Sequence, residues 1–118
     1  MLTQTEVTRL LDIANAGLHK GAVSQARTIY EGVLAGRPGH VPTLISLALS
    51  HIVVDDFAKA DEILAGVLEG NPEDDDALVY LGLSQKLQQK TDEARETLGR
   101  VDPETTAGKL AASLLETL

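Results

Sequence analysis

The chain has no cysteine and no tryptophan, and its only aromatic side chains are Phe57, Tyr30 and Tyr80. Without cysteine, disulfides and thiolate chemistry are excluded, and nothing reports the redox compartment. Positive charge is scarce as well: ten Lys and Arg stand against 18 Asp and Glu, a formal net charge of -8. That balance argues against nonspecific binding to nucleic acid or anionic membranes, both of which need clustered cations. No stretch approaches the roughly 18 apolar residues of a membrane span. The opening MLTQTEVTRLLDIANAG places Glu6 and Asp12 inside its apolar pattern and lacks the basic start and unbroken apolar core of a signal peptide. A cytoplasmic protein is expected, with no nucleic-acid and no membrane partner.

The motifs of catalysis are missing too. There is no glycine-rich phosphate loop, no nucleophile elbow and no pair of catalytic carboxylates. His19, His40 and His51 lack the spacing of a metal site, and His51, among apolar neighbours, is expected to pack. The run Asp74-Asp75-Asp76 lacks the glycine turn and terminal Glu of a calcium loop, so helix capping is its expected role. No enzyme activity, metal or cofactor is expected.

What the chain does have is a period. GVLAGRP ends at Pro38 and GVLEGNP at Pro72, 34 positions apart. Neighbouring positions keep the same interval: Leu10, Leu44 and Leu78; Ile13, Leu47 and Leu81; the small residues Ala14, Ala48 and Gly82; Ala26, Ala60 and Ala94; Tyr30, Leu64 and Leu98; Val33, Val67 and Val101. Three copies of one supersecondary unit follow. A chain of this length fits a single domain over 1–118, burying about two-thirds of the surface of its unfolded form.

Each copy divides into two helical segments. In the first, Val7, Leu10, Leu11, Ala14 and Leu18 keep helical spacing, and Thr3 with Glu6 forms a capping box. A second helix is expected over 22–35. The next copy predicts helices over 41–53 and 57–69, with Asp56 as N-cap. The third predicts one running from the Asp74–Asp76 carboxylates to about Gln88 and a shorter one over 91–101. Gly36 and Gly70 stand where a helix ends in the left-handed conformation before a proline. Gly32 and Gly66 fall inside helices and are read as points of close helix approach. Residues 104–118 carry Leu110, Leu114 and Leu118 at intervals of four and predict a terminal helix that covers the last repeat.

This pattern resembles the tetratricopeptide repeat, which runs from a large apolar residue through Leu and a small residue on one helix to Ala, an aromatic and a closing Pro on the next. Leu44, Leu47, Ala48, Ala60, Leu64 and Pro72 meet it in the middle copy. Leu10, Ile13, Ala14, Ala26, Tyr30 and Pro38 meet it in the first, and Leu78, Leu81, Gly82, Ala94 and Leu98 in the third. The resemblance implies an all-α solenoid of three helix-turn-helix repeats, about 7–40, 41–74 and 75–103, with a capping helix over 104–118. Where the family has an aromatic on the first helix, this chain has Gly17, His51 and Gln85.

In the family the first helices line a concave face. The positions available for it here are Leu11, Ile45 and Val79, then Asn15, Leu49 and Leu83, then Leu18, Ile52 and Lys86. Apolar residues not needed for pairing must find other cover. Either a partner's peptide segment lies on this stripe, or the terminal helix or a second copy of the chain covers it. The resemblance implies a peptide-binding groove. Of the positions that form a two-carboxylate clamp in part of the family, only Asn15 matches; Leu11, Ser46, Asp76 and Tyr80 do not, which favours a mainly apolar ligand. The expected function is therefore a non-catalytic interaction module for an amphipathic or extended segment of a protein partner. Size, acidity and repeat type are similar to those of the small chaperones of bacterial type III secretion. The alternatives are a self-assembling scaffold, with a homodimer as its simplest form, and a regulatory subunit of a larger complex.

Overall fold

The computed structural model describes residues 2–118. Its first helix, α1 (Gln4–His19), begins where the sequence places a capping box. The Glu6 N–H donates to Thr3 Oγ1 at 3.2 Å, and the Thr3 N–H donates to Glu6 Oε1 at 2.9 Å, so two otherwise unpaired N-terminal donors are satisfied. α2 (Val23–Gly36) folds back on α1. The unit recurs as α3 (Val41–Ile52) with α4 (Phe57–Gly70), and as α5 (Asp75–Leu87) with α6 (Thr91–Gly99). α7 (Thr106–Glu116) then packs against both α5 and α6. The result is a short all-α solenoid of 42 × 26 × 22 Å, three helix pairs followed by a capping helix.

The turn inside each pair holds the left-handed residue, and that residue also follows the period: Gly21 at φ 85°, Asp55 at 61° and Gln89 at 64°. In each case the following N–H reaches back to the helix that has just ended, from Ala22 to the Gly17 carbonyl, Asp56 to His51 and Lys90 to Gln85, all at 2.9 Å. These are the bonds by which a left-handed residue closes a helix C-terminus. Gly36 and Gly70, where sequence had placed that conformation, remain helical to the end. The proline explains the stop, because the residue before a proline is disfavoured in the α region. Arg37 and Asn71 have accordingly left the α region, at φ -139° and -148°.

The packing runs through the small residues. Ala14, Ala26, Ala48, Ala60 and Ala94 are buried where paired helices meet, and a methyl on Gly82 would run into the Leu98 side chain. Gly32 and Gly66 differ from what the sequence suggests. Both are exposed, and a methyl on either would meet open space, so no helix approaches there. Leu47 packs on the α1–α2 core and Leu81 on the α3–α4 core. Ile13, the same repeat position on α1, is 62% exposed.

Candidate functional site

The first helices α1, α3 and α5 carry a chain of three confluent hollows. The central one, of about 150 Å³, is lined by Asn15, Leu18, His19, Ile45, Ser46, Leu49 and Tyr80. Toward the loop ends of α1 and α3 it shares Leu18, His19 and Leu49 with a hollow of about 370 Å³ that also takes in Gly21, Val23 and Val53. In the opposite direction it shares Ile45, Ser46 and Tyr80 with one of about 380 Å³, walled by Val41, Pro42, Asp74 and Asp76. The groove is thus apolar at one end, mixed apolar and polar in the middle and acidic at the other.

The expected stripe divides between groove and core. Asn15, Leu18, Ile45 and Leu49 line the central hollow, Leu18 and Ile45 only with the edges of core side chains 6% and 8% exposed, so that Leu49 is its most open apolar residue. Leu11 at 9% exposure, Ile52 at 3% and Val79 at 1% are covered by the protein itself. Leu11 belongs to the α1–α2 core. Val79 lies in a cluster with Ala111 of α7, and Lys86 Nζ donates to the Thr117 hydroxyl at the end of α7. The third repeat's share of the stripe is therefore closed by the capping helix, with Leu83 and Lys86 only partly exposed beside it. A stripe left open along all three repeats is not what the structure shows. Of the other lining residues, Ser46, Asp76 and Tyr80 stand at the clamp positions that the family resemblance had marked, whereas His19 and Val53, at helix ends, are reached by no apolar periodicity.

Each polar member has a traceable environment. The Tyr30 hydroxyl, fully buried, donates to Asn15 Oδ1 at 2.5 Å, which commits the Asn15 oxygen to the core and leaves its N–H2 as a donor for the hollow. Burial raises the Tyr30 phenol above its ordinary range. Of the three aspartates, Asp74 accepts from the Ala77 N–H at 2.9 Å as the N-cap of α5, and Asp75 accepts from the Asp102 N–H at 3.0 Å. Asp76 has no hydrogen bond or ion pair among the described residues. Asp76 is exposed, and partial desolvation first, then the charges of Asp74 and Asp75, push its carboxyl upward. Tyr80 is raised in turn by burial and by Asp76. His51, expected to pack, contacts Arg27 Nη2 and Asp56 Oδ2 at 3.2 Å each, on the side of α3 toward α2.

The tetratricopeptide repeat family model matches residues 76–102. The TPR domain of Sgt2 from Aspergillus fumigatus superposes on 95% of this chain and 76% of its own length, with a TM-score of 0.81 at 23% identity. This is a tetratricopeptide repeat fold. The first TPR domain of Spaghetti (RPAP3), bound to the HSP90 peptide SRMEEVD, covers 98% of this chain and 92% of its own at a TM-score of 0.77 and 18% identity. The second TPR domain of human RPAP3, in complex with the HSP70 peptide SGPTIEEVD, covers 90% and 88% at 0.71 and 16%. No curated protein matches in sequence. At these identities the likeness shows the TPR fold and not a ligand. Among the described residues no helix is long and apolar enough to cross a membrane.

Proposed function

We propose that this TPR solenoid is a non-catalytic interaction module that holds a segment of a protein partner in the groove along α1, α3 and α5. The observation that carries the reading is the continuity of the three hollows, with Leu49 half-buried and Val53 51% exposed along them. Apolar side chains left open in a concave surface lose contact with water when a ligand arrives, and that loss drives association. Solved domains of the same fold hold peptides, as the HSP90 and HSP70 complexes of RPAP3 do. A secretion chaperone is the narrower form of this reading, in which the segment belongs to a client kept soluble until export.

The test is amide chemical-shift mapping with added peptides. Binding in the groove moves the resonances of Asn15, Ser46, Leu49 and Tyr80 and spares the outer faces of α2, α4 and α6. Val53→Asn, on an exposed residue, and Leu49→Asn weaken binding with the helical circular dichroism unchanged. Shifts confined to the outer faces would remove the groove from consideration.

Self-association is a second reading with an observation of its own, the uncovered Ile13 on α1. Light scattering across a concentration series separates the two. A dimer that dissociates in Ile13→Glu assigns the α1 face to a second copy, whereas a monomer at all concentrations removes that assignment.

A further inference from the structure

Resting on that groove reading, we propose that the partner segment is basic as well as apolar, placing a Lys or Arg side chain against Asp76 and an apolar side chain in the hollow of Leu18, Ile45 and Leu49. The argument begins with what the three aspartates do. Folding accounts for Asp74, which caps α5, and for Asp75, which holds the Asp102 N–H. Asp76 serves neither purpose, has no partner among the described residues, and stands in the wall between α3 and α5.

Its surroundings set the chemistry of the occupant. None of the three hollows is lined by a Lys or an Arg, so nothing in the groove neutralises the carboxylate. Val41 and Pro42 offer apolar surface for the methylene stem of a long cationic side chain. Tyr80, one helical turn from Asp76, presents an aromatic ring of the kind on which a guanidinium or ammonium settles. Asp76 is exposed at the groove wall, and partial desolvation and the charges of Asp74 and Asp75 raise its carboxyl, so an incoming cation relieves it. An acidic peptide such as SRMEEVD meets the opposite, an unpaired like charge on the groove wall. Charge complementarity therefore selects a basic segment and rejects an acidic one.

The experiment uses the full chain and three fluorescein-labelled 12-residue peptides, acetylated and amidated, with Leu at the same four positions. The intervening positions carry Lys in the first, Gln in the second and Glu in the third. Anisotropy titrations are run on the wild type, on Asp76→Asn, and on Asp92→Asn, which removes the same charge from a fully exposed site on α6. The expected order is Lys tighter than Gln, and Gln tighter than Glu. Asp76→Asn should cut the Lys-over-Gln preference by about 1.5-fold to fivefold, the range of an exposed ion pair. Asp92→Asn should change it by less than about a third of that.

Equal losses in the two variants would assign the preference to the protein's overall negative charge and overturn the role of Asp76. Three peptides bound alike, with binding still weakened by Leu49→Asn, would keep the groove and overturn its basic specificity. Binding of none would overturn the groove reading itself, and the inference with it.

Discussion

Arg27 Nε donates to Ser50 Oγ at 3.0 Å across the joint between the first and second repeats. The same two positions meet 34 residues on, where Ser84 Oγ donates to Asp61 Oδ1 at 2.6 Å, and again where Arg95 Nη2 donates to the Leu118 carbonyl at 3.2 Å. Donor and acceptor exchange sides between the first joint and the second, yet the tie from one repeat's second helix to the next element is kept. The third instance shows what α7 is. With its C-terminal end it takes the place that the first helix of a further repeat would hold.

These ties predict a local cost for breaking one. Ser84 is fully buried, and the Asp61 carboxylate accepts from both its hydroxyl and Gln88 Nε2. Asp61→Ala removes both acceptors and should destabilise the fold by about 1–2 kcal/mol. A double-mutant cycle with Ser84→Ala, read by urea denaturation, isolates the pair. Additive losses would mean that the two residues do not act together.

The two helical glycines predict the reverse. Gly32 and Gly66 lie in open space inside α2 and α4, so alanine at either should stabilise by about 1 kcal/mol. Gly108 is the control. A methyl there would overlap the Asp102 carbonyl and the Pro103 backbone, and Gly108→Ala should cost about 1–3 kcal/mol by lifting α7 from its seat. Thermal melts of the three variants check both signs.

The 34-residue period was legible because it is written in buried positions: Ala26, Ala60 and Ala94 are closed in by tertiary packing, and each must stay small. The capping box and the Asp56 and Asp74 caps were legible because they are local. The groove was less so. Leu11 and Leu49 look alike in a sequence, and on a helix a rotation of one position carries a side chain from core to hollow. That Val79 is covered depends on where α7 lands, and that Asn15 serves Tyr30 depends on the pairing of α1 with α2. Neither contact is written in spacing. The left-handed turn was hidden for a chemical reason, since only the first of its three copies is a glycine.

That turn yields a third prediction. Asp55 and Gln89 hold φ of 61° and 64°, a conformation that crowds a β-carbon against the following carbonyl. Gln89→Gly should stabilise by about 0.5–1 kcal/mol, and Asp55→Gly by less, because Asp tolerates this region better than Gln does. Gly21→Ala, at φ 85°, should lose about 1 kcal/mol. Chemical denaturation of the three variants would refute the assignment if Gln89→Gly proved the least stable.

The pH dependence follows from His51, whose pKa is lowered from its ordinary 6.5 by burial and then by the Arg27 charge, against a smaller pull from Asp56. Neutral, Nδ1 can accept from the Arg27 guanidinium; protonated, it faces that cation and turns to Asp56. The unfolded chain therefore binds a proton more readily than the folded one, so His51 contributes stability above about pH 6.5 that is lost as pH falls through its lower folded value. Asp76, raised by burial and its neighbours, acts with the opposite sign and lower down, because protonating it favours the folded state. Urea midpoints measured between pH 7.5 and 5.5 should fall in the wild type and fall less in His51→Gln. An unchanged slope in that variant would place the proton uptake on another group.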